Sequence, residues 1–133
     1  MVNVGKVSMF GKPRRKMTRL LKPAYRGDMH IYVEPGYDFV PGDWIALLPT
    51  SYDNLAADDV ILTAYDNITG IANLTEPLKY YHWGNSLSTS FDYNGVDMRG
   101  EVITLSRNIR IRGTDEEHWG GEVVTSDSVE FDP

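Results

Sequence analysis

The chain has 133 residues, enough for one domain or a piece of one with an ordinary hydrophobic core, and its 41% apolar and 24% charged residues are those of a globular protein. It contains no cysteine, which excludes disulfides, thiolate metal sites and a cysteine nucleophile; no run of 18 apolar residues or leader pattern is present, so direct membrane insertion is not expected. The net charge of −6 is strongly segregated: residues 1–27 carry eight basic side chains and no acid, leaving five basic and nineteen acidic groups for the rest.

In chain order the hydrophobic period is mostly two. Val7, Met9 and the stretch Met17 to Leu21 flank a Gly-Lys-Pro turn at 11–13, and Met29 to Val33 alternates. Pro-Gly pairs at 35–36 and 41–42 punctuate the chain before Trp44 to Leu48, a continuous apolar run that reads as a fully buried strand. Tyr52 to Asp59, with Asp53 as a cap, is the sole helix candidate. Val60 to Tyr65 and Ile68 to Leu74 predict a hairpin with Asp66-Asn67 at its tip. Leu78 to Trp83 follows, then a long polar loop from Gly84 to Gly95. Further strands are expected at Asp97 to Leu105, Asn108 to Arg112 and Gly120 to Val124.

Turns every 8–12 residues imply an all-β fold, a compact β-roll, sandwich or barrel-like module. Its core is expected to hold Trp44, Ile45, Leu47, Ile61, Ile103, Leu105, Ile109 and Ile111. Ile103 to Arg112 could end the module as the first rung of a parallel β-helix. The domain reading is a basic arm over residues 1–27 that completes a preceding domain, a β module over 28–126, and an acidic linker or tail over 127–133.

Three constellations could carry chemistry. Read as strand, Asp97, Arg99 and Glu101 project from one face beside apolar Ile103 and Leu105. Such a triplet is either a structural ion triad, since burying these groups is costly unless each is paired, or an acidic and basic cluster lining a binding or catalytic groove. Asp97 and Glu101 are roughly 13 Å apart along a strand, too far for a glycosidase pair, which leaves Asp97 with Arg99, or Glu101 with a carboxylate from another strand. His82, between Tyr81 and Trp83, suits carbohydrate stacking with proton transfer, or is a hydrogen-bonded structural group. Asp92, Asn94 and Asp97 offer oxygens that could hold calcium, although Asn-Gly is itself a turn signal. The basic side chains Lys12, Arg14, Arg15 and Lys16 could bind a polyanion, or dock on the acidic body. Nucleic acid is disfavoured, because no basic helix or aromatic motif accompanies the arm. Asn67-Ile-Thr69 and Asn73-Leu-Thr75 are glycan acceptors if the chain is secreted.

Four pieces in order carry a family resemblance: Gly5 to Pro13, Pro41 to Asp53, Pro77 to Gly84, and Val96 to Val102 with Leu105 to Ile109. Together they resemble the family of fibrocystin, fibrocystin-L and the cell-migration-inducing hyaluronidases over roughly residues 5–113. Gly100 stands where that family's pattern has a residue such as Ala, and Trp44 where a polar residue is commoner. The resemblance implies a segment after an eight-glycine domain, leading into β-helix repeats of a longer secreted or membrane-anchored protein. It implies an extracellular or cell-surface address, flanking domains of the parent as partners, and hyaluronan or another glycosaminoglycan as a ligand. Two functions follow from it: a non-enzymatic structural and ligand-binding module of a receptor, or part of an endo-acting, hyaluronan-depolymerising enzyme.

Overall fold

A computed structural model describes residues 2–4, 8–86, 92–109, 111 and 124–126. The chain divides into two units, residues 14–106 and, separately, residues 1–13 with 107–133. All regular elements among the described residues are β-strands.

In the smaller unit, β1 (Val2–Val4) pairs in parallel with β10 (Val124–Ser126), Val2 opposite Val124. The Asn108 side-chain amide donates to the Lys12 carbonyl at 2.6 Å. Most of the strand expected over Gly120 to Val124, and the acidic tail over 127–133, lie outside the described residues.

The larger unit is a six-stranded antiparallel sheet in the order β2-β9-β4-β5-β6-β3. These strands are β2 (Met17–Arg19), β3 (His30–Tyr32), β4 (Trp44–Leu47), β5 (Asp58–Tyr65), β6 (Ile71–Leu74) and β9 (Glu101–Thr104). The sheet curls until its two edge strands meet. Leu20 bridges Val33, Leu21 N donates to Tyr32 O at 2.8 Å, and Glu34 N donates to Arg19 O at 3.1 Å. This narrow seam makes the sheet barrel-like and removes most of its exposed edge. A short hairpin, β7 (Asp92–Tyr93) and β8 (Val96–Asp97), precedes β9. Asn94 and Gly95 form its turn with φ of 51° and 83°, the left-handed pair that a two-residue hairpin needs.

The alternation of each strand sends one set of side chains inward. Ile45, Leu47, Val60, Leu62, Ala72, Leu74, Val102, Ile31, Leu20 and Val33 form the core, with Phe39 and Leu78 from the connections. Each large aliphatic side chain taken out of water there contributes about 1.5–3 kcal/mol. The opposite face of the same strands is solvated, and this corrects the expected core. Trp44 and Ile61, cross-strand partners, are 48% and 45% exposed; Ile109 and Ile111 are also exposed, and Ile103 and Leu105 are half-buried. A continuous apolar run suggests burial on both faces, but an antiparallel barrel has only one dry face.

Two other expectations change. Tyr52 to Asp59 is not a helix: Asp53 accepts from Leu55 N through its side chain at 3.0 Å and from Ala56 N through its carbonyl at 3.2 Å. That local turn competes with helix, and Asp58 already begins β5. Ile103 and Thr104 lie in an antiparallel strand between β2 and β4, which is not the pairing of a parallel β-helix rung.

Residues 14–27 supply β2 and the bridge from Ala24 to His82. Two glycines set close approaches around these elements. Gly70, at φ 75°, sits so near the chain that a Cβ would collide with the Val33 carbonyl oxygen. Gly100 would bring a Cβ to 2.9 Å from both Leu20 Cδ1 and Trp83 O, so even alanine crowds this position.

Candidate functional site

Two polar networks contain His82, Asp97, Arg99 and Glu101, the candidates for acid–base chemistry. The first is built on His82. The Ala24–His82 bridge has Ala24 N donating to His82 O and His82 N to Ala24 O, both at 2.9 Å. It turns the His82 ring inward and leaves Tyr81 outside, where its ring meets Tyr25 at 5.4 Å. Inside, Nδ1 lies 3.0 Å from Leu48 O and Nε2 lies 3.0 Å from Asp58 Oδ2. A carbonyl oxygen only accepts, so Nδ1 carries a hydrogen. Asp58 also accepts from Lys79 N at 2.9 Å and Tyr80 N at 3.0 Å. His82 is 0% exposed and Asp58 1%. Every hydrogen-bonding position of the ring is thus occupied by protein, and neither nitrogen reaches solvent.

Asp58 was not among the residues singled out from sequence. Its only signal was an acid at an inward position of an alternating strand, visible once the register of β5 is known.

The second network runs along the seam. Arg99 does lie buried, at 8% exposure, and it does meet carboxylates. Its Nε and NH2 donate to Asp97 at 3.0 and 2.7 Å, and NH2 also donates to Glu34 at 2.8 Å. Glu101 belongs instead to Arg19, at 2.9 Å, and Arg19 lies 3.8 Å from Asp97. Arg19 further donates to the Arg99 carbonyl at 2.8 Å. The result is an alternating chain, Glu34–Arg99–Asp97–Arg19–Glu101, laid across the strands that meet at the seam. The expected single-face triplet does not form as one strand. Arg99 N donates to Asp97 Oδ1 at 3.0 Å, a turn that breaks the chain between β8 and β9. The hydrogen bond from Arg99, then the Arg99 and Arg19 charges, hold the Asp97 carboxyl below its ordinary range despite burial. The same bonds raise Arg99.

The basic candidates divide. Arg14 is bound to both carboxylate oxygens of Asp43, which is 4% exposed, and donates to Asp38 O at 2.7 Å. Burial pushes Asp43 up, but the Arg14 and Val40 hydrogen bonds outweigh it and leave its pKa lowered. Arg15 stacks over the Tyr37 ring at 5.3 Å. Arg14 is therefore fastened to the body of the barrel, while Arg15, over the Tyr37 ring, and Lys16 are both exposed. Lys12 belongs to the smaller unit.

Of the calcium candidates, Asn94 is an exposed turn residue, Asp97 is occupied by arginine, and the Asp92 side chain lies outside the described residues. Among the described residues no group of three His, Asp or Glu side chains is arranged to hold a metal ion. No helix among them is long and apolar enough to cross a membrane. Asn67 and Asn73 are both exposed.

Comparison with family models finds none that matches. Among curated proteins, the chain is 35% identical to fibrocystin of Canis lupus familiaris over 109 residues, covering 81% of the chain and 3% of that protein. It is 31% identical to fibrocystin-L of Homo sapiens over 108 residues, 80% of the chain and 2% of the relative. Protein rliB of Dictyostelium discoideum is 27% identical over 132 residues, 96% of the chain and 11% of the relative. A G8 domain-containing protein of the same organism is 28% identical over 136 residues, again 96% of the chain and 9% of the relative. The chain therefore spans about a tenth or less of the length of these relatives. With identity carried over four fifths or more of its residues, the chain is a fibrocystin-like segment, related to fibrocystin, fibrocystin-L and the G8 domain-containing proteins.

Proposed function

We propose that this segment is a non-enzymatic, extracellular structural and ligand-presenting module of a large fibrocystin-like cell-surface receptor. One observation carries the reading: the candidate acid and base groups are consumed in holding the barrel. His82 and Asp58 are sealed from solvent and bonded to each other, to Leu48 O and to two backbone amides. Asp97 and Glu101 are paired with arginines. General acid catalysis needs a carboxyl or imidazole that can reach the substrate proton. These groups support a fold rather than a hydrolytic step. A glycosaminoglycan is the ligand class to test first, given the basic excess of residues 1–27.

Incubating high-molecular-weight hyaluronan with the pure chain, with and without calcium, tests the reading. Intact polymer is the expected result. Fragments whose release is abolished by Glu101→Gln, in a variant that still melts cooperatively, would replace this reading with the hyaluronan-depolymerising one. Protease shaving of intact cells that express the full parent tests the extracellular address.

A further inference from the structure

The β5–β6 hairpin carries two sequons with different surroundings. Asn67 lies in its tip, between the two strands. Asn73 lies in β6 itself, directly opposite His30 of β3 on one side and Ala64 of β5 on the other. All three side chains are on the solvated face and exposed. Directly opposed residues of a regular pair, as Asn73 and His30 are, have Cβ atoms about 4.5–5.5 Å apart, within reach of a pyranose ring attached at Asn73. On the other side the β5 ladder shifts register between Leu62 and Ala64, a bulge that leaves Ala64 on the same exposed face. Ala64 leaves a notch there, because its side chain ends at Cβ. His30 forms a wall, its ring held edge-on to Tyr32 at 5.5 Å, with Lys22 Nζ 3.9 Å over the Tyr32 ring.

We infer that Asn73 is an N-glycosylation site and that its first N-acetylglucosamine is seated in the notch over Ala64, against the ring of His30. The inference rests on the proposed extracellular address, since the acceptor must meet the secretory machinery. The glycan passes from a polyprenyl diphosphate donor to the amide nitrogen, which loses one proton as the diphosphate leaves. This takes place on the unfolded chain, so the central position of Asn73 in the sheet does not oppose it. In the folded state the inward neighbours Ala72 and Leu74 are buried and Asn73 points away from them, so the sugar displaces no core contact. The apolar C–H face of the sugar covers the imidazole, and its hydroxyls stay in water. Asn67 lies in the exposed hairpin tip, where Gly36 N donates to its carbonyl at 2.8 Å, and not opposite His30, so a glycan there does not share this seat.

The test is to secrete the chain from a eukaryotic host behind a foreign leader and compare it with Asn67→Gln and Asn73→Gln. Each variant is expected to lose the mass of one glycan. Trimming to a single N-acetylglucosamine should leave the melting temperature unchanged, whereas Asn73→Gln should lower it by about 4 °C and Asn67→Gln should not. Bacterially made wild type and Asn73→Gln, both bare, should melt alike. His30→Ala and Ala64→Leu should keep occupancy at Asn73 and erase the stabilisation. A secreted, folded chain bare at Asn73 overturns the site. A glycan at Asn73 whose presence leaves the melting temperature unchanged overturns the seat. Because the leader is supplied, either result is independent of where the natural parent resides, which cell-surface shaving decides separately.

Discussion

The ring of His82 and the carboxylate of Asp58 meet at 3.0 Å with neither side chain more than 1% exposed. Their bond joins the start of β5 to the 78–83 segment, and Nδ1 ties both to the end of β4 through Leu48 O. Removing one partner leaves a buried polar group unsatisfied, which costs about 1–3 kcal/mol. His82→Ala and Asp58→Ala are each expected to fall in that range by urea unfolding. The double variant should cost less than the sum of the two, because the second loss strands nothing further.

Arg99→Ala should destabilise by about 3 kcal/mol, since it leaves Asp97 without its principal partner. Glu34→Gln should cost less than about 1 kcal/mol, because the Glu34 side chain is 43% exposed and its ion pair is screened. The folded pKa of Asp97 is lowered from 3.8 by Arg99. A depressed acid contributes stability that is complete above its unfolded pKa and lost as pH falls through the folded one. Stability measured by denaturant midpoint should therefore decline below about pH 4. The decline should be shallower in Arg99→Ala.

Inward and outward positions of β4 and β5 separate cleanly in cost. Ile45→Ala opens a cavity in the core and should cost about 2–5 kcal/mol. Ile61→Thr, on the solvated face opposite Trp44, should change stability by no more than about 0.5 kcal/mol. Equal losses at the two sites would mean that the outer face is covered in solution.

Arg14→Ala and Lys16→Ala should act on different measurements. The Arg14 variant strands the buried Asp43 carboxylate and should lower the melting temperature. Lys16→Ala should leave melting unchanged and shift elution from immobilised heparin. Any retention of the wild type should fade as salt rises from about 0.05 to 0.2 M, because screening shortens the range of surface charge.

Much of this was written locally in the chain. Period-two patterning, Pro-Gly turns and the Asn-Gly pair at 94–95 are short-range signals, and they determine an all-β fold and most strand positions. The need to pair Arg99 was legible as well, since a guanidinium beside apolar residues cannot be left alone. Which carboxylates it would find was not, because Glu34 is 65 residues away and reaches Arg99 only through the seam between β2 and β3. The same holds for Asp58 and His82, 24 residues apart, whose inward placement depends on strand register. Trp44 and Ile61 mark the limit from the other side: hydrophobicity names residues that could be buried, but closure of the sheet decides which face is dry. Composition and spacing act over a few residues, whereas partner choice and exposure are set by which distant strands curl into contact.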